Sequence, residues 1–206
     1  MYFDLGGVIF YDIFSGGESK MCNYLGLSKN NLLRTYVKTD IPEYSLNNIS
    51  DFDRWKLFTS ELGIKTSKIE TLINHYHESY QLIIPTINFI RDLKQRYPKL
   101  RIGILSDQPK SVVERLRDTH KNVFSLFENN LILFSSEVGL SKRDSAQKFF
   151  KYALNKTKIP NNQILYIDDS KKHIQQAEKV GLIGFHFNIK KRKPISIIKE
   201  LRYKVC

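Results

Sequence analysis

Hydrophobic and polar positions along the chain fall into two rhythms. Met1 to Phe10 is an apolar run broken by Asp4, Gly6 and Gly7, the pattern of a buried strand ending in a polar loop opened by glycine. From about Tyr11 to Ile84 the spacing turns helical, with no strand-like alternation. Ser28 is placed to cap a helix through Leu32, Leu33 and Tyr36. Ser50 with Asp53 and Ser67 with Glu70 read as capping boxes of two more helices. The first of these carries Phe52, Trp55, Phe58 and Leu62, and the second Ile69, Leu72, Ile73, Tyr76 and Tyr80. About four or five helices packed on one another are expected here.

After Pro85 helix and strand alternate. Strands are predicted at Arg101–Leu105, Leu131–Phe134, Ile164–Ile167 and Ile183–Phe187. Helices are predicted through Ile87, Ile90 and Leu93, after Pro109, and over Asp144–Leu154, Lys171–Val180 and Ile195–Arg202. Short apolar strands separated by helices of this length predict an α/β fold, a Rossmann-like doubly wound parallel sheet. In such a sheet ligands sit beyond the carboxyl ends of the strands. The expected organisation is a core over 1–11 and 85–206, interrupted by an all-helical insert over 12–84.

Composition adds little to this and removes nothing. The chain has 206 residues, 41% of them hydrophobic and 12% aromatic, enough for a proper core. No stretch approaches the ~18 apolar residues of a membrane span, and no secretory pattern opens the chain. Cys22 and Cys206 have no ligand-like spacing and read as free thiols of a reducing compartment, so a cytoplasmic protein is expected. The net charge is +12, and its distribution matters more than its total. His186 to Cys206 holds seven Lys or Arg and one Glu, an excess of +6 centred on Lys190-Lys191-Arg192-Lys193. The bland reading of that run is a solvated basic terminus; the sharper one is attraction to nucleic acid or a nuclear address.

Three strand ends carry polar groups: Asp4, Ser106-Asp107 and Asp168-Asp169. Adjacent carboxylates at buried strand ends repel unless compensated, and a hard cation such as Mg²⁺, which prefers oxygen ligands, would compensate them. A plainer reading of Asp168-Asp169 is a pair of carboxylates at the start of the following helix.

These residues also resemble a family. Phe3-Asp4-Leu5-Gly6-Gly7-Val8-Ile9 is similar to the first motif of the haloacid dehalogenase-like (HAD) hydrolases. Ile104-Leu105-Ser106-Asp107 resembles the second, Gly139-Leu140-Ser141-Lys142 the third, and Tyr166-Ile167-Asp168-Asp169 with Ala177 and Gly181 the fourth. They occur in order and span nearly the whole chain. Within the family the first motif resembles that of the phosphatase-type subgroup with an Asp-Leu-Gly-Gly/Asn-Val motif, and the helical insert is similar to the family's cap in position and size. The resemblance implies a Mg²⁺-dependent phosphatase acting on a small phosphomonoester, a sugar phosphate or similar metabolite, through an aspartyl-phosphate. Asp4 would be the nucleophile and a metal ligand, the Gly6 carbonyl and Asp168 further ligands, and Asp169 a ligand or the orienter of a bound water. Ser106 would hold a phosphoryl oxygen and Lys142 would offset charge.

The chain departs from the family's pattern at several places. Gly6 stands where many members carry a second Asp that protonates the leaving alcohol, help typically worth ~10²–10⁴-fold. Water, a cap residue or a good leaving group could cover that gap. Asp12 is a candidate by closeness in sequence, although a linker carboxylate is more often solvated. Arg143 replaces a usual Pro, Asp107 a usual Asn, and His173 an Asn. His75 and His77 lie about 200° apart on a helix and cannot share an ion. Tyr44, Trp55 and Tyr80 could line a pocket, but aromatics on a helix face are usually core. Alternative functions are a phosphatase acting on nucleotide or nucleic-acid ends, a non-catalytic HAD-like binding protein, and a metal-free dehalogenase.

Overall fold

The computed structural model describes residues 1–205. Cys206, read above as a free thiol, lies outside the described residues. The chain opens on β1 (Tyr2–Phe3) and β2 (Phe10–Tyr11). Helices α1 (Ser19–Leu25), α2 (Lys29–Lys38), α3 (Pro42–Ser45), α4 (Asp51–Glu61) and α5 (Ile69–Glu78) follow, then β3 (Gln81–Leu82). The remainder alternates: α6 (Ile84–Arg96), β4 (Gly103–Ser106), α7 (Lys110–Thr119), α8 (Lys121–Phe124), β5 (Ile132–Phe134), α9 (Ser135–Val138), α10 (Lys148–Thr157), β6 (Leu165–Asp168), α11 (Lys171–Glu178), β7 (Ile183–His186) and α12 (Pro194–Val205).

Five strands form one parallel sheet in the order β5-β4-β1-β6-β7, the α/β architecture the alternation predicts. The apolar residues of the three inner strands are largely buried, as expected where helices cover both faces of such a sheet, whereas Ile183 on the edge strand β7 is exposed. Although β1 has two paired residues, it is the central strand. Tyr2 and Phe3 pair with Gly103 and Ile104 on one side and with Tyr166 and Ile167 on the other. That register brings the ends of β1, β4 and β6 level, so Asp4, Ser106 and Asp168 emerge side by side.

The helices between β2 and β3 pack largely on one another, through α4 on α5, α1 on α5 and α2 on α4. Their interior is aromatic: Tyr36, Trp55, Phe58 and Tyr76 are buried, with Trp55 5.0 Å from the Tyr76 ring and 5.3 Å from that of Phe58. Ser28 and Ser50 accept from the backbone N–H groups of Asn31 and Asp53, as their cap signatures predict.

Three local expectations are corrected. Ser67 caps nothing, because Thr66–Lys68 forms a 3₁₀ turn and α5 begins at Ile69 with no side-chain cap. The helix expected from Asp144 starts at Lys148, since Gln147 adopts a left-handed φ of 54° that no helix can contain. The stretch after Tyr11 is also not free of strand: β2 and β3 form a two-stranded antiparallel ribbon joining the helical segment to the sheet. Two residues per strand are too few to show a period of two.

Candidate active site

Asp4, Ser106, Lys142 and Asp168 meet at the carboxyl ends of β1, β4 and β6, and all four are buried. Ser106 Oγ donates to Asp4 Oδ1 at 2.5 Å. Lys142 Nζ lies 2.9 Å from Asp4 Oδ1 and 2.8 Å from Asp168 Oδ2, bridging the two carboxylates. The Asp4 backbone is fixed by its N–H donating to Ile167 O at 2.8 Å, a continuation of the β1–β6 ladder. A cavity of about 230 Å³ opens beside them and is lined by Asp4, Gly6, Asp12, Phe14, Asp107, Gln108, Lys142, Arg143, Asp169, Ser170, His173 and Lys190.

Asp168 and Asp169 play different parts. Both oxygens of Asp168 are taken by the chain's own donors: Oδ2 by Lys142 and the Tyr166 hydroxyl, and Oδ1 by the Ser170 N–H at 2.7 Å. Burial opposes its ionisation, but Lys142 and His173 hold its carboxyl well below the usual range. Asp169 is the reverse. Its carboxylate makes no hydrogen bond among the described residues and lines the cavity. Burial, with Asp4, Asp12 and Asp168 nearby, pushes its carboxyl up to about 8. The same causes, burial first and then Asp168, raise Asp4 to about 6 despite Lys142 and Ser106. Sequence reading gave both Asp168 and Asp169 to a metal, Asp168 by direct contact; of the two, Asp169 has the carboxylate not engaged by the chain's own donors.

The cluster therefore carries more negative charge than Lys142 offsets, which is the compensation problem a divalent cation solves. Among the lining residues Asp4, Asp12 and Asp169 offer carboxylate oxygens, the donor type suited to Mg²⁺. Asp4, Asp168 and His173 also bring one ligand atom each within 4.8 Å of one another. That grouping suits a hard cation less, because it includes an imidazole and an oxygen already held by Lys142.

Gly7 explains half of the glycine pair that follows Asp4. It sits at φ +69°, and a Cβ there would lie 2.6 Å from Asp169 Cγ, so any other residue would strain the loop and displace that carboxylate. Two residues that sequence reading did not place in the site help shape it. Asp107 accepts from Ser141 Oγ at 2.7 Å and from Lys142 N–H at 3.0 Å, fastening the loop that delivers Lys142. Gln108 accepts from the Tyr80 hydroxyl at 2.9 Å, and Tyr80, Tyr76 and Tyr36 are joined by phenol contacts of 3.2 and 3.3 Å. The strand-end position of Asp107 was a signal for it; nothing in the sequence ties Tyr80 to Gln108.

Other candidates fall elsewhere. Trp55 is core, as expected. Tyr44 lines a separate cavity of about 310 Å³ with Asp51 and Ser111. His75 faces Glu78 at 3.3 Å and His77 faces Asp51 at 3.7 Å, so the two rings share no site. Arg143 pairs with Asp40 at 2.7 Å, and Lys190, from the basic run, reaches the cavity rim and lies 5.8 Å over the Phe14 ring. No described helix is long and apolar enough to cross a membrane.

The sequence matches no protein-family model and no curated protein. Solved structures are similar to it along nearly its whole length. An L-2-haloacid dehalogenase is 19% identical with a TM-score of 0.75, over 99% of this chain and 96% of that one. A HAD-like hydrolase from Porphyromonas gingivalis is 15% identical with a TM-score of 0.67, over 98% and 96%. A HAD-family enzyme from Bacteroides thetaiotaomicron, solved with magnesium and inorganic phosphate, is 17% identical with a TM-score of 0.63, over 90% and 91%. At these identities the likeness is one of fold, and the chain has the fold shared by these HAD-family enzymes.

Proposed function

We propose that the protein is a Mg²⁺-dependent phosphatase that hydrolyses a small phosphomonoester through an aspartyl-phosphate on Asp4. The observation that carries this reading is the placement of the Asp4 carboxylate between Ser106 Oγ and Lys142 Nζ at the wall of a polar cavity. One oxygen is held by those donors, which leaves the other to attack phosphorus. Lys142 and the Ser106 hydroxyl then face the charge that develops on the transferred group. Asp4, the Gly6 carbonyl and Asp169 would hold Mg²⁺, with Asp168 acting through Lys142 by fixing its ammonium. When bound, the cation would neutralise charge on the carboxylates and the phosphoryl oxygens. The helical segment over 12–84 would act as a cap, contributing Asp12 and Phe14 to the cavity wall. The Bacteroides enzyme's complex with magnesium and phosphate supports the reading by fold.

A test is phosphate release from p-nitrophenyl phosphate and a panel of sugar phosphates with Mg²⁺, run beside Asp4→Asn. No turnover by folded protein across that panel would sink the proposal. The dehalogenase with the same fold motivates a second reading. It predicts halide release from a 2-haloacid with no dependence on Mg²⁺. The Asp169 carboxyl at the cavity wall weighs against it, because once ionised and with no cation beside it that group would repel an anionic haloacid.

A further inference from the structure

Gly6 looks like a missing acid, yet the space a side chain would use there is already filled. A Cβ built on Gly6 would lie 2.6 Å from Asp12 Oδ2, 3.5 Å from Asp12 Cγ and 3.6 Å from Gln108 Nε2. The Asp12 carboxylate is not free to swing aside. Its Oδ1 accepts from Ser15 Oγ at 2.7 Å and from the Phe14 N–H at 2.9 Å, which turns Oδ2 towards Gly6. Both residues line the cavity that holds Asp4 and Lys142. The ribbon of β2 and β3 secures the approach, since Tyr11, the residue before Asp12, pairs with Gln81.

We propose that Asp12 is the acid–base residue of the phosphoryl transfer, and that position 6 is glycine because this carboxyl arrives from eight residues after the nucleophile. The inference rests on the phosphatase reading above. In the first half-reaction an Asp4 oxygen bonds to phosphorus as the bond from phosphorus to the ester oxygen breaks. The electron pair stays on that oxygen, which takes the proton of Asp12 and leaves as the alcohol. In the second half Asp12, now a carboxylate, takes a proton from water as the water oxygen bonds to phosphorus and the Asp4–phosphorus bond breaks. Inorganic phosphate leaves, and Asp4 and Asp12 return to their starting forms. Gln108, held by Tyr80, stands on the same side of Gly6 and would face the departing alcohol.

The experiment compares kcat/KM, which reports events up to alcohol release, for p-nitrophenyl phosphate and for a primary alkyl phosphate. Nitrophenolate departs with little protonic help, whereas an alkoxide needs it. Asp12→Asn, which keeps the acceptor for Ser15 and Phe14, is expected to lower the alkyl value by ~10²–10⁴-fold and the aryl value by no more than about tenfold. Equal losses on both esters, or a wild-type alkyl rate, overturn the assignment while leaving the phosphatase reading intact. Wild-type protein inert on both esters sinks the phosphatase reading and takes this inference with it. If Asp12→Asn melts before assay temperature, Gly6→Asp/Asp12→Ala decides. The new carboxyl should then raise the alkyl rate at least about tenfold over Asp12→Ala alone, and no gain overturns the proposal.

Discussion

The strand-end floor of the cavity and the helical segment over 12–84 both bury polar side chains, and they hold them by different means. On the floor Asp4, Lys142 and Asp168 are joined by charge, with contacts of 2.8 and 2.9 Å. In the helical segment the fully buried Arg54 donates to Thr39 Oγ1 at 3.1 Å and to Tyr36 O at 3.2 Å, and lies 4.5 Å over the Tyr36 ring. Its partners are a hydroxyl, a carbonyl and aromatic faces. The floor thus concentrates charge where a phosphoryl group would bring more, while the helical segment spreads one charge over soft acceptors and keeps its shape by aromatic packing. Changes on the floor should therefore reach chemistry first, and changes in the helices stability first.

The sharpest way to break that contrast is Asp4→Asn. It removes the proposed nucleophile but keeps the volume and the Ser106 hydrogen bond. Phosphate release should fall by about 10⁴-fold or more with the melting temperature little changed; a residual rate near wild type would mean the floor is not the reaction centre. Next comes Lys142→Met, which leaves two buried carboxylates facing one another. A loss of about 3–5 kcal/mol in denaturant unfolding is expected, together with loss of turnover. Trp55→Phe sharpens the other side: about 1–3 kcal/mol of stability should go, with kcat retained, because Trp55 packs on Tyr36, Phe58 and Tyr76 and lines no part of the cavity.

The pH dependence separates the two regions again. Asp4 and Asp169 have carboxyls raised from 3.8 to about 6 and about 8. Between those values and 3.8 the folded chain holds protons that the unfolded chain has released. Stability from these groups is therefore greatest in acid and declines as pH rises from about 4 to 8. In chelator-treated protein the melting temperature should decline across that window, and added Mg²⁺ should raise it more at pH 8 than at pH 5. Asp169→Asn should flatten both trends. An equal Mg²⁺ shift at the two pH values would contradict a cation held by these carboxylates.

Much of this contrast was legible in the chain, for reasons that differ by element. The floor was readable because parallel strands are short apolar runs, and the residue ending each run projects at the same edge: Asp4 after Tyr2-Phe3, Ser106 after Ile104-Leu105, Asp168 after Tyr166-Ile167. The caps at Ser28 and Ser50 were readable because a side-chain oxygen three residues before a backbone N–H acts locally. What escaped depends on distance in sequence. Asp12 reads as a solvated linker residue until the loop folds back on Gly6. The split of roles between Asp168 and Asp169 is invisible in an Asp-Asp pair, since it follows from Lys142 and Tyr166 closing on one of them. The tie from Tyr80 to Gln108 spans 28 positions and joins two segments with no shared pattern.

The smallest effect lies where the two regions touch. Arg143, beside Lys142, pairs with Asp40 at 2.7 Å, with the side chains 41% and 22% exposed. Exposed pairs of this kind contribute about 0.2–1 kcal/mol, because solvent screens them and two long side chains must be held still. A double-mutant cycle of Asp40→Asn and Arg143→Met should return a coupling in that range from unfolding. The same cycle read in KM asks a different question. Arg143 lines the cavity and Asp40 does not, so Asp40→Asn frees a guanidinium to face an anionic substrate, whereas Arg143→Met removes it. If the guanidinium serves the substrate, the two single variants should move KM in opposite directions by a few fold, with KM falling in Asp40→Asn. If both raise KM alike, the pair works as a clasp between loop and helices, and contact between the two regions is itself part of binding.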